Sequence, residues 1–407
     1  MRPSGTPAAL RQGNAARVLA TFREASRDLR VAEVAELTGL SRPTVEAVTE
    51  ALLAQRWVEE SDRLADELPR TTGRPARRYR FNERAGFVVG VDVGPHSVTA
   101  CVADLLGNVL RQDRSSARSP VTAETLVAVS QQVVSSSLAA TGISPHAVLA
   151  LTVGTPGVVD RHRNRVAKVT GIRGWADIDV ASDLSQGPRC RVVVENDANL
   201  AAIGERAAGI ARGCSDLLYL LLGERLGAGV ISNGRLVHGA DGAAGEVGFV
   251  SLTARPTDER GFGPLESLVN AEAVVALAKA AMERTRSSVL WDLADGRPSR
   301  LSAQDVAAAA SSGDVAALGV FRKIGKLLAR GVAPAVLILN PKMVVLGGGI
   351  SGAGRILVES IEPHLSKLTL FVPRIELSAL GRDAVVRGAV YRSLEVVETT
   401  VFRRVSG

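Results

Sequence analysis

Short apolar runs separated by turn residues constrain the fold of this chain more than any other feature. They are densest in GFVVGVDVGPHSVTACVADLLGNVLRQDRS, where three runs lie around 87–93, 97–104 and 108–113. Gly107 and Asn108 form a dipeptide typical of the hairpin turn between two antiparallel strands. A helical pattern follows at about 122–141, and AVLALTVGTPG then predicts a further strand. This part of the chain is therefore predicted to be an α/β unit.

A second unit of the same kind follows later in the chain. DLLYLLLGERLGAGVISNGRLVHG predicts another set of strands, and helical segments occupy about 266–338. The segment MVVLGGG then returns to a strand that ends in a glycine turn. Two strand-rich units, each followed by helices, predict a duplicated α/β core with a cleft between its halves. Clefts of this kind are where small ligands bind.

Length and composition limit the class of protein. A chain of 407 residues is long enough for two or three domains, and 46% hydrophobic with 22% charged residues is typical of a soluble protein. No run of about 20 apolar residues predicts a membrane span, and the N-terminus lacks the apolar core of a signal peptide. The three cysteines are scattered, which favours a reducing, cytoplasmic location. The net charge of +7 permits an acidic partner such as DNA.

Residues 29–60 show two helical patterns separated by a tight turn. Gly39 can end the first helix with a positive φ, Ser41 is a favourable N-cap for the second, and Pro43 is tolerated in its first turn. The apolar faces are predicted from Val31, Val34, Ala35 and Leu37 in the first helix and from Val45, Val48, Leu52 and Leu53 in the second. This pattern predicts a helix-turn-helix.

The start of the second helix is the candidate DNA-reading surface, because a helix-turn-helix inserts that end into the major groove. Arg42 and Thr44 lie there, exposed by the periodicity that buries Val45. Arg42 can pair with guanine or phosphate, and Thr44 can donate to phosphate or contact a thymine methyl group. We expect Ser41, Arg42 and Thr44 to contact DNA. The alternative is a helical hairpin with no nucleic-acid partner.

A basic segment, LPRTTGRPARRYRFNERAG, follows the helices and has only Glu83 opposing six arginines. TGRPA is typical of a turn, and RRYRFN alternates like a short strand. A basic hairpin in this position predicts a wing that contacts phosphates or the minor groove through Arg74 and Arg77. The alternative is a basic interdomain linker. We therefore predict a winged helix-turn-helix domain over residues 1–85 and a ligand-binding and oligomerisation domain over 86–407.

Across both regions the chain resembles the ROK family of repressors and sugar kinases. The motifs that carry the resemblance are GVDVG at 90–94, GTPGVVD at 154–160, RGW at 173–175, VENDAN at 194–199, GAGVISNGRLVHGADGAAGEVGF at 227–249 and PLES at 264–267. The resemblance implies a two-lobed, actin-like or ribonuclease-H-like sugar kinase fold of the α/β class. It also implies that the winged helix is the one that the family's repressors carry and its kinases lack.

The resemblance assigns candidate ligand residues in the cleft. Asp197 matches the catalytic base of the family's kinases, where a carboxylate takes the proton of a sugar hydroxyl. Asn196, Glu246 and Glu266 match residues that contact the sugar. Two of these have simpler interpretations from the residues alone: Asp197 as the N-cap of a helix over 198–208, and Glu246 as a solvated charge in a glycine-rich turn.

The two phosphate-binding loops of the family's kinases are altered here. After the first Asp-x-Gly, the kinases have glycine and threonine where this chain has Pro95 and His96. Proline removes an amide donor. In the second loop, Glu224 and Arg225 replace a threonine and a glycine, and Glu224 would repel a polyphosphate, although Arg225 could offset that charge. The two changes predict the loss of kinase activity, with Asp197 retained as a vestigial base.

The zinc site of the family is also altered. Its histidine position is occupied by Phe249, and the loop that supplies three cysteine ligands contains none here, so we expect no metal and no other cofactor. Gly171 replaces an asparagine at the sugar rim. These changes leave the identity of the sugar open, and an aromatic ring at Phe249 can still stack on a sugar face.

A chain with a ligand cleft, altered phosphate loops and a winged helix is predicted to be a sugar-responsive transcriptional regulator. Its expected partners are a double-stranded DNA operator and a monosaccharide or sugar phosphate, and its expected assembly is a homodimer or homotetramer away from membranes. One alternative is an ATP-dependent sugar kinase with an appended DNA-binding domain. The other is a regulator that a partner protein controls without a small-molecule effector.

Overall fold

Three helices form the N-terminal region of the computed structural model, which describes residues 7–61, 77–117, 121–169, 172–185, 187, 190–252, 261–285 and 288–402. They are α1 (Pro7–Glu24), α2 (Val31–Thr38) and α3 (Arg42–Ala54). Gly39 ends α2 with a φ of 68°, and the Ser41 side chain caps α3 by accepting from the Thr44 N–H. The predicted helix-turn-helix is confirmed, except that Leu37 points to solvent and is not part of the apolar face.

A short antiparallel pair completes this region. It joins β1 (Val58–Glu60) to β2 (Tyr79–Phe81), with Val58 opposite Phe81. The strand predicted in RRYRFN is therefore present. The predicted turn in TGRPA, and Arg74 with it, lie outside the described residues.

The first lobe begins at Phe87 and contains a five-stranded sheet. Its elements are β3 (Phe87–Val93), β4 (Ser97–Asp104), β5 (Val109–Ser116), α4 (Ala123–Thr141), β6 (Val148–Thr155), β7 (Val158–Asp160), β8 (Arg165–Lys168), α5 (Val180–Ser185), β9 (Arg191–Asn196) and α6 (Asp197–Ala208). The strand order is β5-β4-β3-β6-β9, and β7 and β8 pair separately as a hairpin. Gly107 turns between β4 and β5 with a φ of 84°, as its sequence predicts.

The second lobe repeats this arrangement. Its elements are β10 (Leu217–Leu222), β11 (Leu226–Ser232), β12 (Arg235–Leu236), α7 (Glu266–Val269), α8 (Ala271–Met282), α9 (Leu290–Leu293), α10 (Ala303–Ser311), α11 (Val315–Leu339), β13 (Met343–Gly347), α12 (Arg355–Leu365), β14 (Arg374–Leu377) and α13 (Ala384–Thr400). The strand order β12-β11-β10-β13-β14 has the same sequence of antiparallel and parallel pairings as the first sheet. The predicted duplicated α/β core is confirmed.

Two helices connect the lobes. Helix α6 packs on β10 and β11 of the second sheet, α13 packs on β3 and β6 of the first, and the two helices pack against each other. Their backbones come so close that a methyl group on Gly388 would overlap the Leu200 carbonyl oxygen, and one on Gly204 would overlap that of Ala384. A movement of one lobe relative to the other must therefore displace this helix pair.

The C-terminal end of α13 reaches the winged helix. The ring of Phe402 makes edge-on contacts with Trp57 and Phe81, at centroid distances of 5.4 and 6.1 Å. Arg23 of α1 pairs with Glu398 at 3.3 Å. The apolar cores of the winged helix and of the first sheet are continuous here. Among the described helices, none is long and apolar enough to cross a membrane.

Candidate functional site

A cavity of about 410 Å³ lies between the lobes, and all four predicted ligand residues line it. Asn196 and Asp197 come from the first lobe, at the junction of β9 and α6, and Glu246 and Glu266 come from the second. Lys168, Arg225 and Phe249 also line the cavity. The wall therefore combines carboxylates, two cations and one aromatic ring.

Asn196 is the last residue of β9 and caps α6. Its Oδ1 accepts from the Asn199 N–H at 3.0 Å, and its Nδ2 donates to the Gly157 carbonyl oxygen at 3.0 Å. The expectation that Asp197 is the N-cap was wrong: Asn196 holds that position, and Asp197 is the first residue of the helix. The Asn196 side chain therefore holds the 156–158 loop against α6. It both faces the cavity and fixes the position of the cavity wall.

Asp197 presents a carboxylate with a raised pKa. Burial, together with the negative charge of Glu246, raises its pKa to about 7, although the Ala198 N–H donates to it at 2.8 Å. Asp92, at the end of β3, has its pKa raised to about 7 by burial and by Asp197. A carboxyl group with such a pKa is populated in both its protonated and its ionised form near neutral pH. It can therefore either donate or accept a hydrogen bond.

Glu246 begins a tight turn after Gly245, which has a φ of 92° and lies against the Ala228 carbonyl oxygen. Burial and the charge of Glu266 raise the pKa of Glu246, while Arg225 and Lys168 act to lower it. The structure gives its carboxylate no hydrogen-bond partner among the residues described, so its oxygens remain available to a ligand.

Glu266, the first residue of α7, is 4% exposed and already bonded. Its Oε1 accepts from the Leu226 N–H at 2.9 Å, and its Oε2 accepts from the Gly263 N–H at 3.0 Å and from Arg225 Nη1 at 3.3 Å. This carboxylate therefore orders the second-lobe wall of the cavity, and little of its accepting capacity is left for a ligand.

A buried hydrogen-bonded pair behind Asn196, formed by Glu195 and His238, was missed at the sequence level. Glu195 Oε2 lies 2.8 Å from His238 Nε2, and its Oε1 accepts from Asn199 Nδ2 and from the Asn196 N–H, each at 3.0 Å. Burial acts to raise the pKa of Glu195, but His238 and these donors outweigh it and the net shift is downward. Glu195 belongs to β9 and His238 follows β12, so the pair joins the lobes directly behind the ligand residues.

The two altered phosphate loops contact each other. His96 Nε2 of the first lobe lies 2.7 Å from Glu224 Oε1 of the second, and both side chains are exposed. Arg225 does not pair with Glu224. Its guanidinium lies 4.2 Å from the centre of the Phe262 ring and reaches Glu266. The two loops that the resemblance assigns to phosphate binding are thus bridged by an imidazole and a carboxylate.

Metal-binding side chains are not grouped in the described part of the chain, where no three His, Cys, Asp or Glu residues lie close enough to hold an ion. The former histidine position, Phe249, is half-exposed at the cavity edge. Gly171 and loop residues 253–260 lie outside the described residues. The absence of a zinc site stays a prediction that rests on the lack of any cysteine after Cys214.

The predicted DNA-reading residues lie together at the start of α3. Ser41 Oγ and Thr44 Oγ1 are 2.7 Å apart, so these hydroxyls first stabilise the helix end. The Arg42 side chain is 69% exposed, and its nearest recorded partner, Glu46 Oε1, lies 4.0 Å from its Nε. This long contact leaves the guanidinium accessible. On the wing, half-exposed Arg77 pairs with Glu60 at 3.4 Å. Among Ser41, Arg42 and Thr44, Arg42 therefore presents an accessible positive charge at the start of α3.

A helix-turn-helix joined to a two-lobed sugar-kinase fold defines a class of DNA-binding regulators with a kinase-like ligand domain. Comparison with known families identifies both parts: the ROK family matches residues 88–394, and the IclR helix-turn-helix domain matches residues 13–62. The chain belongs to the ROK family.

Its relatives include both regulators and kinases. The xylose repressor of Caldicellulosiruptor bescii is 25% identical over 395 residues, which cover 95% of this chain and 96% of that repressor. The glucokinase of Halalkalibacterium halodurans is 31% identical over 250 residues, which cover 59% of this chain and 74% of the kinase. The repressor thus matches the winged helix as well as the lobes.

Solved structures give the same result for the fold. A ROK family transcriptional regulator described as a homolog of the E. coli MLC protein covers 97% of each chain with a TM-score of 0.77 at 21% identity. A ROK family glucokinase from Streptomyces griseus, in complex with glucose and AMPPNP, covers 76% of this chain and 100% of its own, with a TM-score of 0.66 at 27% identity. The predicted winged helix followed by a sugar-kinase fold is confirmed.

Proposed function

We propose that this protein is a sugar-responsive, DNA-binding transcriptional repressor of carbohydrate metabolism genes. The observation that carries the proposal is a single chain in which a winged helix is packed, through α13, on the lobes that enclose a carboxylate-lined cavity. Its similarity to a xylose repressor over 95% of the chain supports the same function.

The DNA-binding part of the proposal concerns residues 1–85. Ser41, Arg42 and Thr44 face the major groove, and the basic wing with Arg74 and Arg77 contacts the phosphate backbone or the minor groove. Two copies of the domain read a pseudo-palindromic operator, which requires a homodimer or homotetramer. The protein acts in the cytoplasm, where the operator lies.

The ligand-binding part concerns residues 86–407 and the interlobe cavity. Asp197 and Glu246 accept hydrogen bonds from sugar hydroxyls, since both carboxylates face the cavity with free acceptor positions. Asn196 and Glu266 shape the two opposite walls through the contacts described above. Binding between the lobes favours their closure, and closure moves α13 relative to the winged helix.

The contact between the two loops supports the proposed loss of kinase activity. His96 and Glu224 bridge the lobes where phosphates would enter, and the Glu224 carboxylate repels them. Two negative unit charges about 4 Å apart repel by about 1 kcal/mol even in bulk water and by more in a cleft. We therefore expect no ATP-dependent phosphorylation of any sugar.

An ATP-dependent sugar kinase is the second candidate function. The observation that favours it is Asp197, which keeps the base position with a pKa of about 7, as a general base requires. Coupled-enzyme detection of ADP formation with a panel of hexoses and pentoses tests it. Sugar-dependent ADP formation that Asp197→Asn abolishes would establish kinase activity. It would overturn the proposal that the protein is a regulator that lacks kinase activity.

The decisive experiment measures DNA binding. Fluorescence anisotropy with DNA from the region upstream of the gene, at fixed salt, is repeated with a panel of sugars and sugar phosphates. We expect tight, sequence-specific binding that one sugar changes several-fold. Specific binding that no sugar changes would support the alternative of control by a partner protein. Absence of specific binding would overturn the proposed repressor.

A further inference from the structure

Arg225 is a cation in the wall of a cavity that is otherwise rich in carboxylates. It lies in the tight turn between β10 and β11, at a position where the resemblance to the kinases leads one to expect glycine, and 32% of its side chain is exposed. Its Nη1 donates to the Gly261 carbonyl oxygen and to Glu266 Oε2, each at 3.3 Å. The Phe262 ring supports the guanidinium face at 4.2 Å. The group is therefore held in a fixed orientation at the cavity wall.

The remaining donors of this guanidinium have no partner in the described part of the chain. Both recorded hydrogen bonds use Nη1, and the residues that the structure describes provide no acceptor for Nε or Nη2. A guanidinium presents its donors as a planar fork that matches a carboxylate or a phosphate. A neutral ligand would leave these donors facing the cavity without a strong acceptor, which disfavours its binding.

The Glu266 carboxylate has little accepting capacity left for a ligand at this wall. Two backbone N–H groups and Arg225 already occupy its oxygens, and only 4% of the residue is exposed. Glu266 instead fixes Arg225 in place. At this position the wall offers the ligand a positively charged donor rather than a negatively charged acceptor.

A second cation faces the same cavity from the other lobe. Lys168, on β8 of the first lobe, lines the cavity opposite the second-lobe turn that carries Arg225. Both cations are close enough to Glu246 to act on its ionisation. A ligand that fills the cavity thus meets one cation from each lobe, in addition to the carboxylates of Asp197 and Glu246.

We infer that the effector is a monosaccharide that carries an oxyanion, either a phosphate or a carboxylate, and that Arg225 is the residue that selects it. The sugar hydroxyls bind Asp197 and Glu246, while the oxyanion binds the free donors of Arg225 and the ammonium group of Lys168. This inference rests on the proposed function, because it assumes that the cavity binds a sugar. It decides between the neutral and the charged sugars that the sequence leaves open.

Calorimetric titration of the full-length protein tests the inference. The probes are glucose, galactose and mannose, each compared with its uronate and its 6-phosphate at equal ionic strength. We expect one charged sugar to bind at least ~10-fold more tightly than its neutral parent, a difference of about 1.4 kcal/mol. The uronate and phosphate arms distinguish the two sources of the oxyanion.

Variants at Arg225 assign the selectivity. Arg225→Gln is expected to weaken binding of the charged sugar ~10-fold or more and to change glucose binding less than ~3-fold. Arg225→Lys keeps the charge without the planar fork and is expected to recover only part of the affinity. The control is Arg300→Gln, which removes an exposed arginine paired with Asp295 outside the cavity. Thermal unfolding of each variant without ligand verifies that it is folded.

Each outcome is informative. Equal affinity for charged and neutral sugars would overturn the inference and leave the proposed sugar-responsive repressor intact. A preference for charged sugars that Arg225→Gln does not reduce would overturn the role of Arg225. If no member of the panel binds, both the inference and the proposed sugar-binding function are contradicted.

Discussion

At the scale of single residues, the cleft concentrates negative charge where solvent is scarce. Asp92 and Asp197 lie at the ends of β3 and β9, and burial raises the pKa of each to about 7. The negative charge of Asp197 adds to the shift at Asp92, and that of Glu246 adds to the shift at Asp197. Such an arrangement lowers the stability of the folded protein above neutral pH, because at least one carboxylate must ionise in a poorly solvated place. A ligand that donates hydroxyl hydrogen bonds to these groups relieves part of that cost.

Replacing Asp197 by asparagine is expected to stabilise the protein at alkaline pH. Aspartate in an unfolded chain has a pKa of about 3.9, and in the folded protein Asp197 has a pKa of about 7. The free energy of unfolding therefore falls as pH rises from about 4 to about 7 and stays low above that. We expect Asp197→Asn to raise the free energy of unfolding at pH 8 by up to about 4 kcal/mol, because each of about three pKa units corresponds to about 1.4 kcal/mol, and to raise it less at pH 5.

The measurement is thermal unfolding at both pH values. Asp292→Asn, which changes an exposed aspartate in α9, serves as the control and should shift the Tm equally little at pH 5 and pH 8. A difference between Asp197→Asn and the wild type that is the same at both pH values would contradict the raised pKa.

Arg42→Ala is expected to weaken operator binding without altering sugar binding. Loss of one arginine contact to a base edge typically reduces affinity by about 1–3 kcal/mol, and loss of a phosphate contact reduces the salt dependence by about one ion. Fluorescence anisotropy with operator and unrelated DNA separates these two roles. Arg355→Ala is a matched control, because Arg355 is also an exposed arginine at the start of a helix and pairs with a glutamate four residues later. Equal operator affinity in the two variants would remove Arg42 from the recognition surface.

At the scale of elements, local sequence signals predicted most helices and strands. They could not predict contacts between residues that are distant in the sequence. Short apolar runs and the Gly107-Asn108 turn predicted β3, β4 and β5, because both signals act over a few residues. The cap of α6 was misassigned by one residue because asparagine and aspartate are equally good caps. The His96–Glu224 and His238–Glu195 pairs join residues 128 and 43 positions apart, and no periodicity encodes such contacts.

The crossing of α6 and α13 is expected to tolerate no side chain at Gly388. A methyl group there would overlap the Leu200 carbonyl oxygen, and backbone on both helices would have to separate. We expect Gly388→Ala to reduce the free energy of unfolding by about 2 kcal/mol or more, as overpacking in a core does. Gly319→Ala, in α11, meets nothing within 4 Å and is expected to be neutral or to stabilise by up to about 1 kcal/mol. Chemical denaturation compares the two, and equal effects would contradict the close crossing.

At the scale of the whole molecule, two crossing helices connect the ligand cavity to the DNA-binding domain. Asn196 and Asp197 lie at the start of α6, α6 crosses α13, and the end of α13 leads to Phe402 in the aromatic contact with the winged helix. Arg23 and Glu398 add an ion pair beside that contact. Coupling between the sites therefore has a continuous packed path, and its strength can be measured as the change in DNA affinity that the sugar causes.

Phe402→Ala is expected to uncouple the two sites while leaving each able to bind. The substitution removes the ring that contacts Trp57 and Phe81, so movement of α13 no longer alters the position of the winged helix. In the wild type we expect the effector to change operator affinity by about 5- to 150-fold, and in the variant this ratio should approach one. Anisotropy titrations with and without the effector, combined with calorimetry for sugar binding, give the three required affinities. The control is Phe371→Ala, which removes a phenylalanine ring that is 73% exposed. A wild-type ratio in Phe402→Ala would show that the sugar signal reaches the DNA-binding domain by another route, such as a change in the assembly of subunits.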